Sequence, residues 1–203
     1  MVTLQTPDIE TALKRQSSRF AKYRSRVPDG RSGPWQVKRF TIEYGLELLR
    51  AVRDGRGCAP GEYTKLCHDQ RGVVMSDTDA EISDFAGFVA DARGRVLVAG
   101  LGLGVVTQAL LDMAAVSHVT VLEIDRDVIK LVKPTLACDR LTVIRADARK
   151  WQPKEKFDSA WLDIWDEICG DNADEIRSMK AHYRKSAKRV VAWCEREVMR
   201  LDD

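Results

Sequence analysis

Arg95-Val96-Leu97-Val98-Ala99-Gly100-Leu101-Gly102-Leu103-Gly104 is the stretch that decides the fold. Its apolar, β-branched first half predicts a buried strand, and its alternating glycines predict a tight turn directly after that strand. Glycine adopts positive φ without a Cβ clash and lets the backbone approach a ligand closely. A helix is predicted over residues 105–115, and helix N-termini attract phosphate. The stretch therefore predicts a strand, turn and helix that bind a nucleoside or a phosphate-bearing molecule.

Apolar runs alternate with helical patterns through the rest of the C-terminal part of the chain. The predicted strands are 95–99, 118–122, 141–145 and 159–162, and the predicted helices are 105–115 and 126–132, the second stopped by Pro134. Residues 189–193 fit a fifth strand, although their surroundings also fit a helix. We therefore predict an α/β fold with a doubly wound, mostly parallel, Rossmann-like sheet. Ligands of such sheets bind at the carboxyl ends of the strands.

Three regions are predicted along the chain. A basic N-terminal arm takes residues 1–34, a helix and β-hairpin extension takes 35–77, and the α/β domain takes 78–203. Within the first two regions, the patterns predict a helix from Thr6 to about Phe20, a flexible linker or turn over 24–33, a short helix over 46–52 and hairpin strands over 62–66 and 73–75. Thr78 and Glu81 are spaced as a capping box for the helix that leads into the glycine-ended strand.

Charge is distributed unevenly between the arm and the body. The chain has a formal net charge of +2, but residues 1–40 contain nine Lys and Arg against three Asp and Glu. A basic arm can contact nucleic acid or an acidic partner, and a solvated helix face is the competing interpretation. The arm also lacks the interleaved aromatic residues that stack on bases. We therefore expect any nucleic-acid contact to be made through this arm alone.

Cysteine and histidine placement argues against a metal site. The five cysteines form no C-x-x-C pair, and the three histidines are dispersed, so neither a disulfide framework nor a metal centre is expected. Cys169 has no histidine partner in the sequence that would make it a nucleophile. No signal-peptide core or run of about 18 apolar residues is present, which predicts a cytoplasmic protein.

The glycine spacing excludes two common nucleotide sites. A dinucleotide fingerprint is G-x-G-x-x-G, but here the third glycine, Gly104, comes one residue early and position 105 is Val. The G-x-x-x-x-G-K pattern of a P-loop is absent from the same turn. The turn is therefore expected to bind a nucleoside of another kind.

Acidic residues follow the next three strands. Glu123 ends the second strand, where a carboxylate can accept both ribose hydroxyls of an adenosine, and Asp125 is better placed to cap the following helix. After the third strand, Asp147 could accept from the adenine amine while Ala148 donates its backbone N–H, with loop capping as the alternative for Asp147. Asp163 and Asp166 follow the fourth strand and suit holding an amine or general-base work, or form a solvated turn.

Together these strand ends resemble class I S-adenosylmethionine-dependent methyltransferases. Over about residues 60–166 the chain is more narrowly similar to the spermidine synthase-like branch, whose second strand reads much like residues 119–129 and whose D-x-x-D pair is matched by Asp163 and Asp166. It departs from that branch in lacking the acid of a G-G-G-D-G turn and in having Glu167 where a proline follows the D-x-x-D pair.

The resemblance implies S-adenosyl-L-methionine as the cofactor and assigns roles to particular residues. Gly100, Gly102 and Gly104 are expected against its methionine part. The remaining implied cofactor-binding residues are Glu123 at the ribose, its neighbour Ile124, Asp147 and Ala148 at the adenine, and Asp163 near the acceptor. Asp163 is also the candidate catalytic residue, which would orient or deprotonate the acceptor, with Trp165 and Tyr63 as candidate pocket walls. Trp165 could equally be core.

The resemblance implies methyl transfer to an unidentified acceptor, for which a small molecule is the first expectation. Aminopropyl transfer, as in spermidine synthases, and a non-catalytic nucleoside-binding or assembly protein are the alternatives. No N-P-P-Y turn of the kind that holds a flipped amino base follows the fourth strand, which argues against DNA base methylation. The sequence ends soon after residue 193, so the sheet could be shortened at its C-terminal end. Its edge would then be covered by the arm or by a second copy in a homodimer.

Overall fold

The computed structural model describes residues 6–43, 45, 51–52 and 56–202. Within these residues the strands are β1 (Gly30–Ser32), β2 (Trp35–Ile42), β3 (Gly61–His68), β4 (Gly72–Ser76), β5 (Gly94–Ala99), β6 (Val116–Glu123), β7 (Leu141–Arg145), β8 (Phe157–Leu162) and β9 (Ala187–Ala192). The α-helices are α1 (Thr6–Phe20), α2 (Asp79–Asp91), α3 (Val105–Leu111), α4 (Arg126–Val132), α5 (Ala173–Tyr183) and α6 (Glu195–Asp202). The helix predicted over 46–52 falls largely outside the described residues.

A five-stranded parallel sheet with the order β7-β6-β5-β8-β9 forms the centre of the molecule. Val96 and Val98 of β5 pack with α2, α3 and α4 on one side, whereas Leu97 and Ala99 pack with α5 and β9 on the other. Both faces of the sheet are therefore buried, and the predicted doubly wound α/β fold is confirmed. Residues 187–192 form the fifth strand, so the strand interpretation of that segment is confirmed as well.

Helix α3 is shorter than predicted, and a side chain from a later loop caps its C-terminal end. The helix stops at Leu111 rather than at residue 115. The Arg140 guanidinium donates hydrogen bonds to the carbonyl oxygens of Leu111 and Val116, the second at 2.7 Å. These carbonyls of the last helical turn and of the following strand are thereby satisfied without further helix.

A second, antiparallel sheet with the order β1-β2-β3-β4 precedes the parallel one. The predicted hairpin is present as β3 and β4, but β1 and β2 had no prediction. The segment 24–33, predicted to be a flexible linker, is instead fixed in place. Val27 is fully buried, and the backbone N–H of Ser25 donates to the buried carboxylate of Asp77 at 2.8 Å. The turn-forming composition was correct for the local backbone but said nothing about these long-range partners.

The antiparallel sheet lies against the carboxyl edge of the parallel sheet. Trp35 Nε1 donates to Asp125 Oδ2 at 2.7 Å, and the Ser32 hydroxyl donates to Asp127 Oδ1 at 2.8 Å. On the same face of the antiparallel sheet, Val37 and Leu66 belong to the core that includes β5 and β6. The face opposite them is turned outward.

The predicted division at residues 34 and 35 falls in the turn between β1 and β2, and the division at 77 and 78 falls just before α2. The three-region division itself stays a prediction. The capping box is formed differently from the expectation, since Glu81 accepts from the backbone N–H of Ser76 and not from Thr78. Among the described helices, none has the length and apolar character needed to cross a membrane.

Candidate active site

A cleft of about 1050 Å³ lies between the carboxyl ends of β5, β6, β7 and β8 and the inner face of the antiparallel sheet. Its lining includes most of the predicted site residues, namely Gly100, Gly102, Glu123, Ile124, Asp147, Ala148 and Asp163. Trp35, Leu66 and Met75 form the wall on the side of the antiparallel sheet. The topology thus gathers strand ends that are far apart in sequence, as the predicted fold requires.

At its glycine positions, the turn after β5 has no room for a Cβ atom. Gly100 has a φ of 98°, and a Cβ there would lie 1.9 Å from the carbonyl oxygen of Asp163. Gly102 has a φ of 50°, and its Cβ would lie 2.2 Å from Met75 Sδ. Gly104 also has positive φ, but its neighbours are Val132 and Leu136, and it does not line the cleft. Gly100 and Gly102 therefore shape the cleft, whereas Gly104 lets α3 pack closely against α4.

Glu123 lies at the end of β6 and is fixed by the glycine turn. Its Oε2 accepts from the backbone N–H of Leu101 at 2.9 Å, and its Oε1 accepts from that of Asp125 at 2.8 Å. The residue is only 8% exposed, and this burial raises its pKa while the two backbone hydrogen bonds oppose the shift. A carboxylate held in this way keeps one further acceptor position on each oxygen. The arrangement can receive two neighbouring hydroxyl groups.

Asp125 and Ile124 follow Glu123 directly. Asp125 Oδ1 accepts from the backbone N–H of Asp127 at 2.7 Å, so the predicted capping of α4 is present. Ile124 projects into the cleft and is 59% exposed, which is unusual for a large apolar side chain. This side chain offers an apolar surface beside the carboxylate of Glu123.

The segment after β7 is organised as a capped turn. Asp147 Oδ1 accepts from the backbone N–H of Arg149 at 2.9 Å, which is the loop-capping interpretation of this carboxylate. The buried Tyr183 hydroxyl donates to the carbonyl oxygen of Ala148 at 2.6 Å. Asp147 and Ala148 both line the cleft, so the capped turn also presents Asp147 to the interior of the cleft.

Asp163 follows β8 and is held at the cleft by one hydrogen bond. Trp161 Nε1 donates to its Oδ2 at 3.2 Å. Removal from solvent raises the pKa of Asp163 to about 7, and the acidic neighbours Glu81, Asp84 and Asp166 add to this shift against the Trp161 hydrogen bond. A carboxyl group with this pKa can accept or release a proton near neutral pH.

Asp166 has a different environment from Asp163. It is on the exposed rim, where Arg71 from the turn between β3 and β4 pairs with it at 3.1 Å. The same guanidinium lies 5.0 Å from the centre of the Trp35 ring. The two predicted carboxylates therefore have separate surroundings, and Asp166 joins the two walls of the cleft.

Of the two predicted pocket walls, one lies at the cleft and one does not. Trp165 lines the cleft and is also buried in the core, with Nε1 donating to Glu175 at 2.6 Å. Tyr63 is buried on the face of the antiparallel sheet that points away from the cleft, where its hydroxyl donates to the carbonyl oxygen of Ala59 at 2.5 Å. Cys169 also reaches the lining. Across the described ranges, no group of three or more His, Cys, Asp and Glu residues could hold a metal ion.

The charged cleft residues that sequence reasoning missed include Glu81, Arg56 and Arg71. The carboxylate of Glu81 accepts from the backbone N–H of Ser76 at 2.9 Å, and burial raises its pKa. Its spacing from Thr78 indicated a helix cap, and nothing in the local sequence placed it opposite the end of β8. Arg56 pairs with Asp84 at 2.8 Å, a contact across 28 residues.

Comparison with protein families decides the relationship. The model of the ribosomal RNA adenine dimethylase family matches residues 90–192, just over half of the 203 residues. The chain belongs to the ribosomal RNA adenine dimethylase family. The match begins near the end of α2 and extends through β9, so it covers the parallel sheet and all the predicted site residues.

Individual relatives cover smaller parts. The ribosomal RNA small subunit methyltransferase A of Bordetella petrii is 44% identical over 71 residues, which is 34% of this chain and 26% of that protein. The chain thus spans about a quarter of this curated relative. Similar solved structures include the 23S rRNA methyltransferase ErmE (TM-score 0.41, 22% identity, 52% of this chain and 42% of that one) and the DhpI complex with S-adenosylhomocysteine (TM-score 0.43, 21% identity, 52% and 50%).

Family membership confirms part of the prediction from sequence and corrects the rest. The class, a class I S-adenosylmethionine-dependent methyltransferase, and the cofactor of that class are confirmed. The narrower similarity to the spermidine synthase-like branch is not supported. The expectation of a small-molecule partner was wrong, because the acceptor that the family's name specifies is an adenine of ribosomal RNA. That expectation rested on the absence of an N-P-P-Y turn and of base-stacking aromatics in the arm, two features too local to identify an acceptor.

Proposed function

We propose that this chain binds S-adenosylmethionine in the cleft and transfers its methyl group to the amino group of an adenine in ribosomal RNA. Family membership supports the acceptor class. The observation that carries the cofactor site is Glu123, whose two oxygens are held by the backbone N–H groups of Leu101 and Asp125. These two hydrogen bonds join the glycine turn to the end of β6 and orient the Glu123 carboxylate before a ligand binds.

Each part of the cofactor has a matching feature in the cleft. The two ribose hydroxyls donate to Glu123, in charge-assisted hydrogen bonds. The adenine ring lies against the exposed side chain of Ile124, and its amine donates to Asp147. The methionine part follows the backbone at Gly100 and Gly102, which line the cleft.

The proposed reaction is an in-line substitution at the sulfonium. The amino nitrogen of the acceptor adenine attacks the methyl carbon as the carbon–sulfur bond breaks, and the electron pair of that bond stays on sulfur. The methylated nitrogen then loses one proton. Asp163 accepts from the amine before transfer and takes this proton, a role that suits a carboxylate whose pKa is about 7.

Calorimetric titration of the cofactor tests the site. Glu123→Gln keeps the shape of the side chain but puts an amide NH₂ toward one of two N–H donors, so we expect it to weaken binding of S-adenosylmethionine and S-adenosylhomocysteine by about 10-fold or more. Glu62→Gln, an exposed position on β3, is the matched control and is expected to bind as the wild type does. Equal affinity in all three proteins would refute the assignment of Glu123.

A transfer assay tests the acceptor. Ribosomal RNA is incubated with tritiated S-adenosylmethionine and the protein, and the digested nucleosides are separated. We expect the label in N6-methylated adenosine, and a loss of rate in Asp163→Asn of about 10²–10⁴-fold, the range for loss of a general base. Label in another nucleoside, or no label although the cofactor binds, would contradict the proposed acceptor.

A further inference from the structure

The outer face of the antiparallel sheet carries an unusual pair of lysines. The register between β2 and β3 places Lys38 directly opposite Lys65, and Phe40 directly opposite Tyr63. These residues alternate with Val37 and its neighbours on the inner face, so they share the outer one, where Tyr63 is buried and Lys38 is exposed. Like charges directly opposite each other on a sheet are destabilising. A ligand of opposite charge would relieve the repulsion between these two lysines.

Among the described residues, neither lysine has an acidic partner that offsets this repulsion. Lys38 is exposed and makes no ion pair with any described residue. The ammonium group of Lys65 instead lies 5.0 Å from the centre of the Phe40 ring. The half-buried Phe40 ring packs beside that of Tyr63 at 5.9 Å, which supports it from below. The face thus combines an exposed lysine, a second lysine that packs on an aromatic ring, and the ring itself.

This outer face continues to the rim of the cleft. One row along the sheet, Arg31 lies opposite Gln36, and Cys67 lies opposite Val73 of β4. Val73 is 57% exposed and also lines the cleft. A chain bound along the outer face can therefore pass over β4 and enter the cleft from its edge.

The cleft itself is unsuited to hold phosphate groups. Among its described lining residues, nine are acidic and three are basic. An RNA substrate whose target base enters this cleft must therefore have its phosphates neutralised on another surface. The outer face is basic, contiguous with the cleft and equipped with an aromatic ring.

We propose that the outer face of the β1–β4 sheet, defined by Lys38, Phe40 and Lys65, binds single-stranded RNA adjacent to the target nucleotide. Phosphates contact the two lysines, and one base stacks on Phe40 in the place that the Lys65 ammonium occupies without RNA. Sheet faces with aromatic and basic side chains bind single strands in this way. The inference rests on the proposed RNA substrate for its role, but the binding can be measured without methyl transfer.

Fluorescence anisotropy with the full chain tests this surface. The probe is a labelled single-stranded RNA of about 12 nucleotides, and the same sequence as a duplex is the comparison. We expect Lys38→Gln/Lys65→Gln to weaken single-strand binding by about 10-fold and to make the slope of log affinity against log salt shallower by about 1.4, because each phosphate contact contributes about 0.7. Phe40→Leu is expected to weaken binding by about 5- to 150-fold through loss of stacking.

The control is Lys133→Gln/Lys154→Gln, which removes the same charge from exposed positions away from the sheet. Equal weakening in this control, unchanged binding in the Lys38/Lys65 variant, or equal affinity for the duplex would overturn the proposed surface. Calorimetric titration with S-adenosylmethionine verifies that each variant is folded. A wild-type protein that binds the cofactor but not the single strand would refute this surface, whereas failure of cofactor binding would refute the proposed function.

Discussion

At the scale of single residues, the cleft depends on groups whose surroundings restrict them to one arrangement. Glu123 is oriented by two backbone donors, and Gly100 is required by the carbonyl oxygen of Asp163. Asp163 differs from both, because its single hydrogen bond from Trp161 leaves it able to change protonation state. The proposed catalytic residue is thus the least constrained of the three.

Replacement of Asp163 by Asn is expected to change the pH dependence of stability. Because the folded state raises the pKa of Asp163 from about 4 to about 7, it binds the proton more tightly than the unfolded state. The associated stability is present below about pH 4 and is lost as pH rises to about 7. Asn retains an acceptor for Trp161 but cannot ionise. Urea unfolding should therefore show Asp163→Asn to be more stable than the wild type at pH 8, by about 1–3 kcal/mol once solvent screening at the cleft is allowed for.

The same comparison at pH 4 is the control, since both side chains are then neutral and their stabilities should differ by less than about 0.5 kcal/mol. A difference that is constant across the pH range would mean that the folded protein does not raise the pKa of Asp163.

Gly100→Ala is expected to be more destabilising than Gly72→Ala. Both glycines have positive φ, which costs an alanine about 1–2 kcal/mol. A Cβ at Gly72 meets nothing within 4 Å, whereas one at Gly100 meets backbone 1.9 Å away. We expect a loss of about 1–2 kcal/mol for Gly72→Ala and of more than about 3 kcal/mol for Gly100→Ala, by chemical denaturation. Equal losses would show that the turn relaxes around the added methyl group.

At the scale of elements, the antiparallel sheet is joined to the parallel one at few polar points. Trp35 of β2 donates to Asp125, the residue that also caps α4. Inner-face residues such as Leu66 add apolar contact to the same core. The relative position of the two sheets sets the width of the cleft, so these contacts matter to ligand binding as well as to stability.

Trp35→Phe tests the connection between the sheets. It removes the hydrogen bond to a carboxylate, which contributes about 1.5–3 kcal/mol. The matched control is Trp151→Phe, since the Trp151 ring nitrogen donates to no described residue. We expect the Trp35 variant to lose about 1–3 kcal/mol more stability than the control, measured by urea unfolding. Indistinguishable losses would mean that the apolar contacts alone hold the sheets together.

At the scale of the whole molecule, ligand binding and folding are linked. Ligand that binds only the folded state at 100 times its Kd stabilises it by about 2.7 kcal/mol. For a chain of this length, we expect S-adenosylmethionine at that concentration to raise the Tm by about 5–10 °C. Glu123→Gln should show little shift at the same concentration, and a full shift in that variant by differential scanning fluorimetry would place the cofactor elsewhere.

The parallel sheet and its strand-end residues could be predicted because their signals are local. Val96 to Ala99 form a continuous apolar run. Glu123 and Asp163 come directly after apolar runs of the same kind. The antiparallel sheet was only half predicted, since Gly30–Ser32 has the composition of a turn and pairs only through its register with β2. Glu81 and Arg71 were missed because their partners lie in other elements. The fit between Gly102 and Met75, 27 positions apart, is likewise invisible to periodicity.

The ion pair between Arg71 and Asp166 has a kinetic consequence for a large substrate. It connects the hairpin turn to the loop after β8, so these two segments must separate to widen the entrance. Exposed pairs of this kind contribute no more than about 1 kcal/mol, so the joined arrangement outweighs the separated one by only about fivefold. Such a population difference adds little to the time that the proposed RNA substrate needs to enter. The entrance is therefore expected to exchange rapidly between its two arrangements, and its opening should not limit turnover.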